Sequence, residues 1–477
     1  MIPPLFALFA WIPVSLFFFW RYPLRVAILI NFLGGWALLP TAAFVASVVP
    51  FPYWILGTCL PSNYFFTKAT VTGMSGLLGI LLFDRRSFDR FQLSAWDLPM
   101  LAWCIVPIFS GVANGQSIGV SLRCGLYQLL AWGVPYLGGR LYFSDTASLQ
   151  LAAKALVIAG LAYVPICLVE IFIGPQFYAH LYGYQPYRWI GAQRYFGFRP
   201  IGFLEDGNQL GIWMATSALI AIYLWKRDLI KVIIGIPIVW ISAILLAVTI
   251  LCQSAGSIFL LIGLLLFLFS SRHLAKTLTA LVLLGVVTLI VLRLSNVISL
   301  RAIVKQSTAA NTGAQVLKKL GRGSFGWRLS QDEKHVGDAL EAPILGSGEW
   351  DWWKASSSRP WSLWLLTFGM YGIVGLYALE GLQFIPVARI LWSPLARSET
   401  DGPDLRRALA TVILMSALDN LLNGSMILPV LLLIGGLSTT GSSIFDVRMK
   451  RHQRTRRLPE RHALSNRPQK TAPWVAI

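Results

Sequence analysis

Residues 188–211 read R-W-I-G-A-Q-R-Y-F-G-F-R-P-I-G-F-L-E-D-G-N-Q-L-G. The stretch separates two long apolar segments, yet it carries Arg188, Arg194 and Arg199, the acids Glu205 and Asp206, and several aromatics. A charged loop between apolar segments lies at a membrane surface. Three guanidinium groups there suit an anionic, phosphorylated, lipid-linked ligand. That reading decides the expected fold: all-α, a polytopic transmembrane helical bundle of about 12–14 spans. Two extracytoplasmic loops, about 174–206 and 296–359, are expected to be partly helical and to face each other.

The rest of the chain agrees. Apolar runs of about 18 or more residues recur throughout. Of 477 residues, 56% are hydrophobic and 13% charged, where a soluble domain would carry about 25% charge. Residues 1–440 read as one transmembrane domain, with candidate spans from 2–20 to 426–440. The 2–20 run lacks a basic leader and a small-residue cleavage site, so it reads as a retained span. The proline-broken stretch 49–65 reads as a re-entrant or interfacial piece. The basic tail 441–477 is expected to be cytoplasmic and disordered, lying on anionic headgroups.

Net charge is +19. Bases gather in short loops beside spans: Arg21 and Arg25, then Arg85, Arg86 and Arg90, then Arg140, Lys226, Arg227 and Lys231, then Arg272, Lys276, Arg406 and Arg407. By the positive-inside rule that side is cytoplasmic, and both long loops fall on the opposite face. Nucleic acid is excluded as a partner because the bases sit beside spans. The five cysteines are scattered through apolar segments with no C-x-x-C pair. They predict packing roles, and neither a disulfide framework nor a metal site. No internal repeat supports an inverted-repeat transporter.

The loop 296–359 holds nine bases against six acids. Residues 329–342 suit a short helix ending before Pro343. G-R-G-S-F-G at 321–326 matches a dinucleotide fingerprint by letters only, since no strand precedes it; its glycines are expected to serve turns. G-E-W-D-W-W-K at 348–354 suits an interfacial anchor or a sugar-stacking surface. Charged residues inside spans are costly. Arg123 is placed to reach an anion at the outer face. Glu170 and Lys154 are expected to snorkel, and Asp419 to pair beside Asn420 and Asn423.

Three motifs in order carry a resemblance. R-P-I-G-F-L-E-D-G-N-Q-L-G (199–211) opens a span. G-S-F-G-W-R-L (323–329) is followed by A-P-I-L-G-S-G (342–348). W-L-L-T-F-G-M-Y-G-I-V-G-L (364–376) comes after the loop. Together they resemble the O-antigen ligase and polysaccharide polymerase superfamily over about residues 185–380. The resemblance implies a membrane glycosyltransferase of the bacterial inner membrane, active on its outer, periplasmic face. It would polymerise or ligate glycan carried on undecaprenyl pyrophosphate, with a glycan or lipid acceptor and no cofactor or metal. Polymerase is favoured over lipid A-core ligase.

Arg199 and Arg328 match the family's positions for the pyrophosphate, and Arg188, Arg194, Arg123 and Arg359 extend that set. The family's histidine before the span near Trp361 is missing, and Ser358 or Arg359 stands in its place. His335, in the same loop, then becomes the candidate base, although D-E-K-H reads more readily as a solvated helix face. Glu205 and Asp206 are the other proton acceptors. Two readings from other classes remain: a transporter or channel, and a catalytically inactive scaffold of a polysaccharide assembly complex.

Overall fold

A computed structural model describes residues 1–41, 65–184, 193–295, 323–353, 358–392, 404–424 and 426–439. Arg188, nearly all of 49–65, the first part of the second loop and the basic tail lie outside these.

The chain is mostly helical. In order the helices are α1 (Pro4–Arg21), α2 (Leu24–Leu29), α3 (Gly35–Leu38), α4 (Lys68–Phe83), α5 (Leu98–Ala113), α6 (Ile118–Gln128), α7 (Val134–Tyr142), α8 (Thr146–Ile173) and α9 (Phe177–Tyr182). Then come α10 (Gly207–Lys226), α11 (Ile238–Leu251), α12 (Ala255–Phe269), α13 (Arg272–Leu294), α14 (Gly323–Lys334), α15 (Val336–Leu340), α16 (Leu363–Trp392), α17 (Leu405–Asn420) and α18 (Val430–Thr439). One two-stranded hairpin, Val232–Ile233 with Ile236–Pro237, precedes α11. Side-chain caps set the starts. Thr67 accepts from Thr70 N at α4, Asp145 from Ser148 N at α8, and Asp206 from Gln209 N at α10.

The helices run alternately between two ends, as contacts at their termini show. At one end, Ile2 N donates to Leu181 O, Tyr182 donates to Leu38 O, Glu170 meets Ile201, Gln253 meets Phe196, and Arg293 meets Asp332. At the other end, Arg25 pairs with Asp145, Arg140 grips Asp97 with two nitrogens at 2.8 and 2.9 Å, and Arg389 lies over Trp96. The described parts of both charged loops therefore lie at the first end. The short basic loops gather at the second.

Among the described residues five helices are long and apolar enough to cross a membrane: Pro4–Arg21, Ala95–Ala113 (α5 with the turn before it), α8, α13 and α16. α4, α11 and α12 are apolar but shorter. The outward surface of these helices is apolar: Leu266 is 72% exposed and Leu284 64%. Water would penalise such a belt, and hydrocarbon would not.

Two features depart from expectation. α14 begins at Gly323, so Gly323 and Gly326 lie in helix and not in turns. And Cys124 is disulfide-bonded; Cys104, Cys167 and Cys252 are free and buried. Cys124 thus departs from the packing role expected of the cysteines, and the three free ones keep it.

α16 is broken. Gly372 has φ 62° and ψ −159° inside it, a conformation that a side chain disfavours. The segment 342–348 docks into the break backbone to backbone. Ile373 N donates to Pro343 O at 2.8 Å, Ser347 N to Gly369 O at 3.0 Å, and Gly348 N to Met370 O at 2.9 Å. A Cβ on Gly372 would stand 2.3 Å from the Ile344 carbonyl carbon. Ser110 and Asn114, at the end of α5, donate to Leu345 O and Gly346 O and hold the docked segment from the other side.

Candidate functional site

The first loop is held from below by one carboxylate. Glu170, in the last turn of α8, is fully buried. Its oxygens accept from Phe177 N (3.2 Å), Ile201 N (2.8 Å) and Gly202 N (2.7 Å). Three backbone donors satisfy a charge that would otherwise be costly. Glu170 does not snorkel; it fixes where Arg199 stands.

Arg199 is partly buried, with its Nε enclosed and without a hydrogen-bond partner. Its Nη2 donates to Asn208 Oδ1 at 2.7 Å, and its stem lies on the bare Cα of Gly207, where a Cβ would come within 2.6 Å. It makes no ion pair among the described residues. Burial pushes its guanidinium down to about 10; Asp206 opposes that shift, and the charges of Arg194 and Arg328 add to it. Arg194 and Arg328 are therefore electrostatic neighbours of Arg199 although Arg328 comes from the other loop. Arg194 is exposed, on a turn in which its N–H donates to Gly197 O.

Arg328 projects from α14. It donates from Nη1 to Asn423 Oδ1, and Asn423 in turn donates to Asp419 at 2.6 Å. Asp419 thus does pair next to Asn423. The Arg328 guanidinium also lies 5.8 Å from the Trp361 ring centre, and Arg359 lies 4.4 Å from it. Arg359 accordingly belongs to the Arg328 side. Arg123 is partly buried on α6, one turn before Tyr127 on the same face. The Tyr127 hydroxyl lies 3.0 Å from Thr67 Oγ1, the residue before Lys68.

The acids are engaged. Glu205 is buried and stands 3.7 Å from the buried Lys68 Nζ, which also lies over the Trp36 ring. Asp206 caps α10 and accepts from Asn208 Nδ2 at 3.2 Å. Lys68 went unremarked in the sequence; a lysine opening an apolar run was the available signal.

His335 is fully buried in the break between α14 and α15, which corrects the solvated helix face that D-E-K-H suggests. Its Nε2 is 3.1 Å from Ser358 Oγ, and its Nδ1 is 3.3 Å from Asp338 Oδ2. The histidine thus reaches, through space, the position before α16 where the resemblance would place one. Asp338 was missed; its signal is the i, i+3 spacing from His335. Nearby, Asp332 accepts from Trp361 N and Ser362 N and from Arg293 at 3.4 Å, tying α13, α14 and α16 together.

Among the described residues no His, Cys, Asp or Glu group is arranged to hold a metal ion. No protein-family model matches the chain, and no curated protein is similar to it.

Proposed function

We propose that the chain is a polytopic inner-membrane protein of about 12–14 spans that transfers glycan from an undecaprenyl-pyrophosphate carrier to an acceptor on the outer face. Polymerisation is favoured over ligation to lipid A core. The observation that carries this reading is the enclosed guanidinium of Arg199, whose Nε has no hydrogen-bond partner and on which the charges of Arg194 and Arg328, from two loops, act together while Asp206 offsets them only in part. An anion would relieve the burial of such a cluster, and pyrophosphate offers the geometry that guanidinium groups bind.

In the reaction an acceptor hydroxyl attacks the anomeric carbon and the sugar–pyrophosphate bond breaks, with inversion. The arginines meet the charge that develops on the leaving phosphate oxygens. The hydroxyl's proton passes to Ser358 Oγ, whose own proton passes to His335 Nε2. Asp338 holds the imidazole through Nδ1. Glu205 and Asp206 keep the arginine loop in place.

The disulfide at Cys124 supports an oxidising, extracytoplasmic side for this end. So does the collection of basic loops at the other end. Replacing Arg199 or Arg328 by alanine is expected to abolish long glycan in cells while the protein stays in the membrane. Glycan of unchanged length in both variants would overturn the reading.

A second reading, transport, is favoured by the break in α16 and the buried Lys68–Glu205 pair. Substrate flux into proteoliposomes without glycosyl transfer would select it.

A further inference from the structure

We propose that Trp327 and Trp361 form a carbohydrate subsite that takes the sugar ring bonded directly to the lipid pyrophosphate. The inference rests on the pyrophosphate reading above and extends it to the glycan.

Of the tryptophans around the site, those of the G-E-W-D-W-W-K segment are structural. Trp352 lies against Gly369, where a Cβ would come within 2.2 Å of its ring, and donates Nε1 to Leu366 O at 3.3 Å. Trp353 is buried and packs edge-on to Trp352 at 5.5 Å. These rings form a wall behind His335, which meets Trp352 edge-on at 6.2 Å.

Trp327 is different. It is 48% exposed, and its ring packs at 60° on Trp361 with centres 5.2 Å apart. Trp361 in turn lies beside the guanidinium groups of Arg359 and Arg328. An open aromatic face bordered by planar multi-donor cations suits a sugar. The C–H face of the ring stacks on the indole, and its hydroxyls accept from the guanidinium groups.

A membrane anchor is the competing role for any tryptophan at an interface. An anchor turns its ring toward lipid, whereas Trp361 is flanked by cations and Trp327 leans on it from the same cluster. Arg328 fixes the location. It borders Trp361 and is itself one of the arginines proposed to hold the phosphate, so the platform adjoins that cluster. A sugar joined to the pyrophosphate has to lie next to it.

The test uses the full chain in lipid nanodiscs and two probes: undecaprenyl pyrophosphate alone, and the lipid-linked glycan pool extracted from the membranes of the producing cells. Wild type is expected to bind the glycan-bearing lipid about tenfold more tightly than the bare carrier. Trp327→Ala should lose that preference and keep its affinity for the bare carrier, and Trp327→Phe should retain most of the preference. Binding of the bare carrier with no preference for glycan, or a preference that survives Trp327→Ala, overturns the subsite alone. Equal loss of both probes in Trp327→Ala overturns it as well, since that marks a structural role. Wild type that binds neither probe overturns the pyrophosphate reading and the subsite with it.

Discussion

At the scale of single residues, Arg199 concentrates the argument. Its charge is enclosed and Asp206 offsets only part of its burial, so the empty protein carries a desolvation cost that an anion relieves. Arg199→Gln is therefore expected to leave the empty protein as stable as wild type, or more stable by on the order of 1 kcal/mol. On the proposed function, undecaprenyl pyrophosphate raises the melting temperature of wild type, and the same variant should lose that rise. Thermal unfolding in detergent with and without that lipid measures both. Burial lowers the guanidinium only to about 10. Both folded and unfolded chains keep it protonated at neutral pH, so Arg199 adds no pH dependence to stability there. Carrier binding should stay flat up to about pH 9 and weaken as pH rises through about 10. A loss of binding already near pH 7 would rule out Arg199 as the controlling charge. Gly207→Ala tests position without touching charge. The added methyl meets the Arg199 stem, and a shift of that size is expected to cost about tenfold or more in glycan synthesis. At this scale the sequence marked both arginines by motif. The asparagines that aim them, Asn208 and Asn423, carried no signal, because an amide beside a helix end is ordinary.

At the scale of elements, two anchors decide whether the loops meet. Glu170 holds the first with three backbone donors. Glu170→Gln puts an amide NH2 where an N–H points, leaving buried donors unmet at about 2–3 kcal/mol. Reduced thermal stability together with weaker carrier binding is the expected pair of results. A stable variant with normal binding would show that the loop is held by other contacts. The second anchor is the dock of 342–348 in the break of α16. Gly372→Ala meets the Ile344 carbonyl and a disfavoured φ at once and should cost about 3 kcal/mol or more, seen as loss of a monodisperse peak after detergent extraction. The letters A-P-I-L-G-S-G and F-G-M-Y-G were legible as motifs, but their physical content was not. The glycines belong to two segments that touch by backbone, and nothing in either segment's own pattern names the other. His335 fails for a related reason. D-E-K-H has a solvated helix's composition, and only the break after Lys334 turns the imidazole inward.

At the scale of the whole molecule, the partition of charge between the two ends is what the sequence made most legible. Short basic loops alternate with apolar helices at a spacing that leaves both long loops on one side, and the contacts at the helix ends reproduce that division. The pairing of Lys68 with Glu205 was not legible, because it joins helices distant in the chain and each residue alone looks like a helix-end charge. The division makes a definite prediction. Phe196, on the arginine loop, is 72% exposed, and Ile234, in the hairpin at the opposite end, is 67% exposed. The free cysteines among the described residues are buried, so an introduced thiol at either position should dominate labelling. Phe196→Cys in intact spheroplasts should react with a membrane-impermeant maleimide, while Ile234→Cys should react only after lysis. The positive-inside rule requires this order, because Lys226, Arg227 and Lys231 flank the hairpin. The proposed reaction requires it too, since a pyrophosphate-linked glycan carried across the membrane would be presented on the outer face. Reversed labelling would place the arginine cluster in the cytoplasm, where nucleotide-activated sugars and ATP compete for every phosphate-binding pocket, and the proposed reaction would lose its substrate.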